Sequence, residues 1–215
     1  MMTTRVRQSS SITITHIFHI SEIFNIICMF CGNHVALFLA CIDSNCYKNH
    51  PRDLCDLPLQ YLKRLSDSIL NQYCRQGIPI RSINCSHNNV TDNGVKGFGY
   101  SLKELYAPDN RHITDDCLKE LTKLIFLDIS YNTLITDKGI EYVPQLKYIN
   151  VEDNERISDK SIRLLHDLCE IRLEYNPRIT AECLETLNKL EIIIVCDEEF
   201  TVEDYRSYQE EYYES

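Results

Sequence analysis

Chemistry in this chain would begin with sulfur and imidazole. Cys28, Cys31, Cys41 and Cys46, together with His34 and His50, include one Cys-x-x-Cys pair, the spacing at which two thiolates grip a tetrahedral zinc ion. A structural zinc site needs a second compact pair, and none follows. These cysteines instead lie in or beside an apolar stretch with helical spacing, where a free thiol packs as a small hydrophobe. Helix packing is therefore the reading set against zinc, and no metal is expected. The histidines His16, His19, His34, His50, His87, His112 and His166 accompany no recognisable nucleophile motif, and no glycine-rich phosphate loop occurs. The sequence predicts no catalytic residue and no cofactor, and so a protein that binds rather than reacts.

What positions residues in such a protein is visible as a period. An aliphatic residue returns every 22 positions at Ile83, Leu105, Leu127, Ile149, Ile171 and Ile193. Two residues later runs a second apolar column, Cys85, Ala107, Ile129, Val151, Leu173 and Val195. Alternation of this kind turns both columns to one side of a short strand and makes them core. An asparagine column follows at Asn88, Asn110, Asn132, Asn154 and Asn176, placed to hydrogen-bond backbone groups in the turn leaving each strand.

Next come the segments VTDNG, ITDDC, ITDKG, ISDKS and ITAEC. The hydroxyls of Thr91, Thr114, Thr136, Ser158 and Thr180 suit a helix N-cap, and the aspartate after the first four adds negative charge to the first turn. Leu118, Leu121 and Leu124 begin a series of apolar triplets, continued by Ile140, Val143 and Leu146, by Ile162, Leu165 and Leu168, and by Leu184, Leu187 and Leu190. Each unit therefore reads as strand, asparagine turn and capped helix. A weaker copy runs through Leu54, Leu57, Leu59, Leu62, Leu65, Ser66, Asp67 and Leu70, with Leu62 in the asparagine position and Pro58 removing a backbone donor. Counting this irregular entry unit, seven strands are expected.

The template LxxLxLxxN resembles the leucine-rich repeat, of the cysteine-containing type. That resemblance implies an α/β fold: a leucine-rich-repeat solenoid with a curved parallel sheet, helices on the convex side and a small α-helical N-terminal module ahead of it. Arrays of this kind present binding surfaces.

Composition narrows the partners. With 44% hydrophobic residues in 215, the chain can bury a core, and its net charge of −10 with no basic stripe argues against a nucleic-acid partner. Cys85 in an inward strand column, and Cys117 and Cys183 at helix starts, read as buried free thiols of a reducing compartment, cytoplasmic or nuclear. Arg5 and Arg7 lead into a polar run rather than a secretion signal, although an acid-free start with two arginines also resembles a mitochondrial presequence. Residues 23–42 lack Asp, Glu, Lys and Arg, but Asn25, Asn33 and His34 would sit inside a bilayer, so no membrane partner is expected.

Residues 17–50 read as short helices, with Ser21 and Asn33 as caps and Gly32 as a stop. The segment ISEIFNIICMFCGNHVALFLACIDSNCYKN resembles an F-box, the helical module that docks the adaptor subunit of SCF-type ubiquitin ligases. Glu22, Ile23, Ile27 and Phe30 match its first helix, while Leu37, Leu39, Cys41, Ile42 and Tyr47 match its second half. The leucine-proline that usually opens the motif is absent, and Tyr47 stands where tryptophan is common. An F-box ahead of such repeats implies an F-box/leucine-rich-repeat protein, a substrate receptor of an SCF-type ligase with the adaptor on Glu22, Ile23, Ile27, Phe30, Leu37 and Leu39. The other reading is a helical cap on a stand-alone repeat scaffold or inhibitor.

The strand phase also names the outward residues. Glu104, Phe126, Tyr148 and Glu170 form one column and Tyr106, Asp128, Asn150 and Arg172 the next, making an aromatic patch rimmed by carboxylates on the concave repeat face. These eight residues are the expected site for a target protein. Past the array, DEEFTVEDYRSYQEEYYES reads either as a short helix over the last repeat or as a partner-binding tail. The expected organisation is a disordered 1–15, an F-box-like helical module at 16–50, repeats at 51–196 and an acidic tail at 197–215.

Overall fold

The computed structural model describes residues 53–54, 65–86 and 88–213. The chain divides into two compact units, Met1–Pro51 and Arg52–Ser215, and only residues of the second are described. The zinc cluster, the apolar run 23–42 and the adaptor-docking residues Glu22, Ile23, Ile27, Phe30, Leu37 and Leu39 lie outside the described residues.

Seven parallel strands stack in sequence order: β1 (Asp53–Leu54), β2 (Ser82–Asn84), β3 (Glu104–Tyr106), β4 (Phe126–Asp128), β5 (Tyr148–Asn150), β6 (Glu170–Arg172) and β7 (Ile192–Val195). From β2 to β7 every pairing is in the register read from the sequence; Leu105, Leu127, Ile149 and Ile171 stand opposite one another and are fully buried. The second inward column, Cys85 to Val195, is equally buried.

The entry unit is phased differently from its sequence reading. Leu54, not Leu57, pairs with Ile83. A strand phased on Leu57 would place Pro58, which has no N–H, inside the ladder.

Between strands lie α1 (Asp67–Arg75), α2 (Asp92–Val95) with a 3₁₀ turn at Lys96–Phe98, α3 (Asp115–Leu118), α4 (Asp137–Ile140), α5 (Asp159–Ile162) and α6 (Ala181–Glu185). All five hydroxyl caps form: Thr91, Thr114, Thr136 and Ser158 each accept from the N–H two residues on, and Thr180 from Cys183. The helices are nevertheless shorter than the apolar triplets implied. After one α turn the chain tightens, with Leu121 N–H donating to Leu118 O and Leu124 N–H to Leu121 O. An apolar residue at every third position is the spacing of a 3₁₀ turn, and a 22-residue unit has room for little more.

Two side-chain ladders tie the units together. Asn132 shows the first: its Nδ2 donates to Asn110 O at 2.8 Å, while its Oδ1 accepts from Leu134 and Ile135 N–H at 2.8 and 3.0 Å. Asn110 and Asn176 bridge back in the same way, whereas the buried Nδ2 of Asn154 has no hydrogen-bond partner.

The second ladder was not read from the sequence. Asp67, Asp92, Asp115, Asp137 and Asp159 each reach into the following unit and accept from both the N–H and the hydroxyl of its cap residue, at 2.6–2.8 Å. The aspartates therefore do more than charge a helix terminus. They also explain why the third residue after each cap is small: Gly94, Cys117, Gly139, Ser161 or Cys183. A Cβ on Gly139 would sit 2.3 Å from Asp115 Oδ1, and Ser161 Oγ instead donates to Asp137 Oδ1 at 2.7 Å. Cys85, Cys117 and Cys183 are buried free thiols.

The C-terminal segment closes the array. Cys196 and Asp197, both at positive φ, turn the chain into β8 (Glu198–Phe200), antiparallel to β7. Positive φ at both central residues is the turn that joins strands most tightly. Then α7 (Val202–Tyr212) starts with a capping box between Thr201 and Asp204. Tyr205 is fully buried and its hydroxyl donates to Ile179 O at 2.9 Å. Gln209 Oε1 accepts from Ala181 N–H, and Arg206 pairs with Glu182 and Glu185. The helix over the last repeat that the sequence suggested for this tail is formed.

Candidate functional site

The outward sides of β3 to β6 bring all eight sequence-derived residues onto one face. Glu104, Phe126, Tyr148 and Glu170 stand opposite one another across the strands, as do Tyr106, Asp128, Asn150 and Arg172. The aromatic residues form a ladder of their own. Ring centroids lie 4.4 Å apart for Tyr106 and Phe126, and 4.0 Å apart for Phe126 and Tyr148, the latter pair within 4° of parallel. Strand spacing in a parallel sheet is close to this interval, so stacking follows directly from register.

The face is less open than outward alternation implies. The three rings are half-buried against each other, and Asn150 is buried, with Oδ1 accepting from Glu152 N–H at 3.0 Å. Burial acts on the polar groups too. It is the main cause pushing the Asp128 carboxyl above its ordinary range, opposed by the Ser130 hydrogen bonds, and it lifts the Tyr148 hydroxyl to about 12. Arg172 stands 3.8 Å from Glu170 and 3.7 Å from Asp197.

Sequence phasing missed one further column. Asp109, Tyr131, Asp153 and Tyr175, each just before a ladder asparagine, all sit at φ between 48° and 58°. Their left-handed turns aim the following asparagine inward while Asp109, Tyr131 and Asp153 N–H still donate to the next unit. Tyr131 and Tyr175 stand exposed at the strand exits. Tyr131 donates to Glu152 Oε1 at 2.5 Å, the chief reason its hydroxyl rises to about 12. The available signal was the residue before each asparagine, but left-handed backbone is rare for tyrosine and nothing local announces it.

Among the described residues no cluster of His, Cys, Asp and Glu could hold a metal ion, and no helix is long and apolar enough to cross a membrane.

A family model described as a leucine-rich repeat matches residues 79–99 and 120–143. No curated protein matches the chain. Among solved structures, similar chains occur in the complex of Rad7 and Elc1 in yeast (TM-score 0.49, 16% identity, 65% of this chain and 43% of that one). Others occur in a TLR13–ssRNA13 complex (0.44, 14%, 61% and 20%) and in internalin C2 from Listeria monocytogenes (0.39, 21%, 56% and 63%). Each match spans less than two thirds of the other chain. Strands that return every 22 residues in unbroken register, joined by an asparagine ladder and matched by the repeat model, make this an α/β leucine-rich-repeat solenoid.

Proposed function

We propose that this protein binds another protein on the outward face of β3 to β6, and that it does so as the substrate receptor of an SCF-type ubiquitin ligase. The observation carrying the first part is the trio Tyr106, Phe126 and Tyr148 in ring contact, Phe126 stacked on Tyr148 and Tyr106 tilted against Phe126, half-open and bordered by Glu104, Asp128 and Glu170. Rigid aromatics lose little entropy on binding and dominate interface energetics when a charged rim surrounds them. A repeat array fits this role because its core is sealed by neighbouring units, which leaves the strand face to evolve contacts.

The second part rests on the F-box resemblance of residues 20–49, where Glu22, Ile23, Ile27, Phe30, Leu37 and Leu39 would meet the adaptor. The reducing compartment, cytoplasmic or nuclear, belongs to the same proposal. Capture of a purified SCF adaptor subunit by the full chain tests it. Binding that disappears when Ile23 and Ile27 become Asp supports a receptor. No capture by the parent chain, at concentrations where an F-box binds, would leave a stand-alone repeat scaffold with a helical cap.

A further inference from the structure

The outward strand columns carry a charge imbalance that their stacked rings do not neutralise. Among the described residues of these columns and of the third outward column two residues further on (Ser86, Pro108, Ser130, Glu152, Glu174 and Cys196), the acids are Glu104, Asp128, Glu152, Glu170 and Glu174, and the one cation is Arg172. That cation is already flanked by Glu170 and Asp197. Asp128 lies in the middle of the patch with burial working against its charge. Its Oδ1 accepts from Ser130 N–H at 3.0 Å and Ser130 Oγ at 2.8 Å, while Oδ2 accepts from no donor among the described residues. Face-to-face stacking of Phe126 on Tyr148 occupies ring faces and leaves ring edges toward the incoming partner. Ring edges favour aliphatic contact over direct capture of a cation. An arginine or lysine satisfies both demands, its stem lying along the rings and its head reaching a carboxylate.

We infer that the segment docking on this face is basic, an extended stretch of a partner protein whose arginine or lysine heads pair with Asp128, Glu104 and Glu170 while their stems cover Tyr106, Phe126 and Tyr148. This rests on the strand face being the binding site and adds the chemical class of what occupies it. Complementary charge of this kind also speeds encounter.

The test uses the full chain and a short fluorescein-labelled peptide alternating arginine with glycine, read by fluorescence anisotropy. A counterpart with citrulline for arginine keeps the shape and removes the charge. The inference expects the citrulline peptide to bind at least about tenfold more weakly. It expects a similar loss for Asp128→Asn, and for the Tyr106→Ala, Phe126→Ala, Tyr148→Ala combination, which leaves net charge unchanged. Melting curves of both variants establish that they fold. Equal binding of the two peptides overturns the inference. So does full retention of arginine binding by both folded variants, which would place the peptide on the acidic C-terminal segment. A target crosslinked to the face through an acidic or uncharged segment would also overturn it while leaving the face as the binding site.

Discussion

Removing Asp137 should separate the array at the junction of α4 and α5. Its Oδ1 accepts from Ser158 N–H at 2.8 Å and from Ser161 Oγ at 2.7 Å, and its Oδ2 accepts from Ser158 Oγ at 2.6 Å. Asp137→Ala removes both acceptor oxygens and with them all three hydrogen bonds, and Ser161 is fully buried. Unmatched buried groups cost about 1–3 kcal/mol each, but Asp137 is only half-buried and water replaces part of the loss. A total of about 3 kcal/mol follows, a fall of about 6–12 °C in Tm for a domain of this size. Asp137→Asn keeps one acceptor and should lose about half as much. Asp116→Ala is the control, since it removes the same charge from a helix first turn at an exposed position and should stay within about 0.5 kcal/mol. Thermal melts by circular dichroism, with hydrogen exchange at the Ser158 and Ser161 amides, read the effect. Equal shifts for Asp116→Ala and Asp137→Ala would show that helix-terminus charge, not the ladder, is responsible.

Three other outcomes follow from the same geometry. Asn132→Ala leaves buried partners of two units unmatched and should cost about 3 kcal/mol in urea unfolding, against about 1 kcal/mol for Asn88→Ala, whose side chain is half-exposed. Equal losses would mean that the ladder adds nothing between units. Asp197→Gly relieves a left-handed backbone in the β7–β8 turn and should raise stability by about 1 kcal/mol; a lower urea midpoint would refute the strain. Alkali should unfold the protein through its buried phenols. Burial raises Tyr148 to about 12 and Tyr205 higher still, so the native state keeps protons that the unfolded chain loses near pH 10, and stability present below that pH falls as pH rises from about 10 to 12. Tyr205→Phe should flatten that decline, and an unchanged slope would exclude Tyr205 as its source.

The parts of this fold that were legible in the sequence are those repeated often enough to reinforce each other. Inward columns, asparagines and caps recur unit after unit, so the strand register from Ile83 to Ile193 and the grouping of the eight face residues followed directly. The entry unit occurs once, and a run of leucines three residues apart offered two phases that only a proline distinguishes. The aspartate ladder was hidden because its bonds cross units, linking residues 21 to 24 positions apart, while local reading assigns the same residue to its own helix. Cys196 and Asp197 concealed the hairpin because neither is the glycine that usually marks positive φ. Half-burial of Tyr106, Phe126 and Tyr148 came from ring contact between strands, which alternation along one strand does not contain.

Site-specific photocrosslinking in living cells tests the central claim most directly. A benzophenone side chain placed at Phe126 on the strand face should yield a discrete protein adduct, whereas the same group at the exposed Lys138 on α4 should yield none. Adducts formed equally from both positions, or from Lys138 alone, would contradict binding on the strand face.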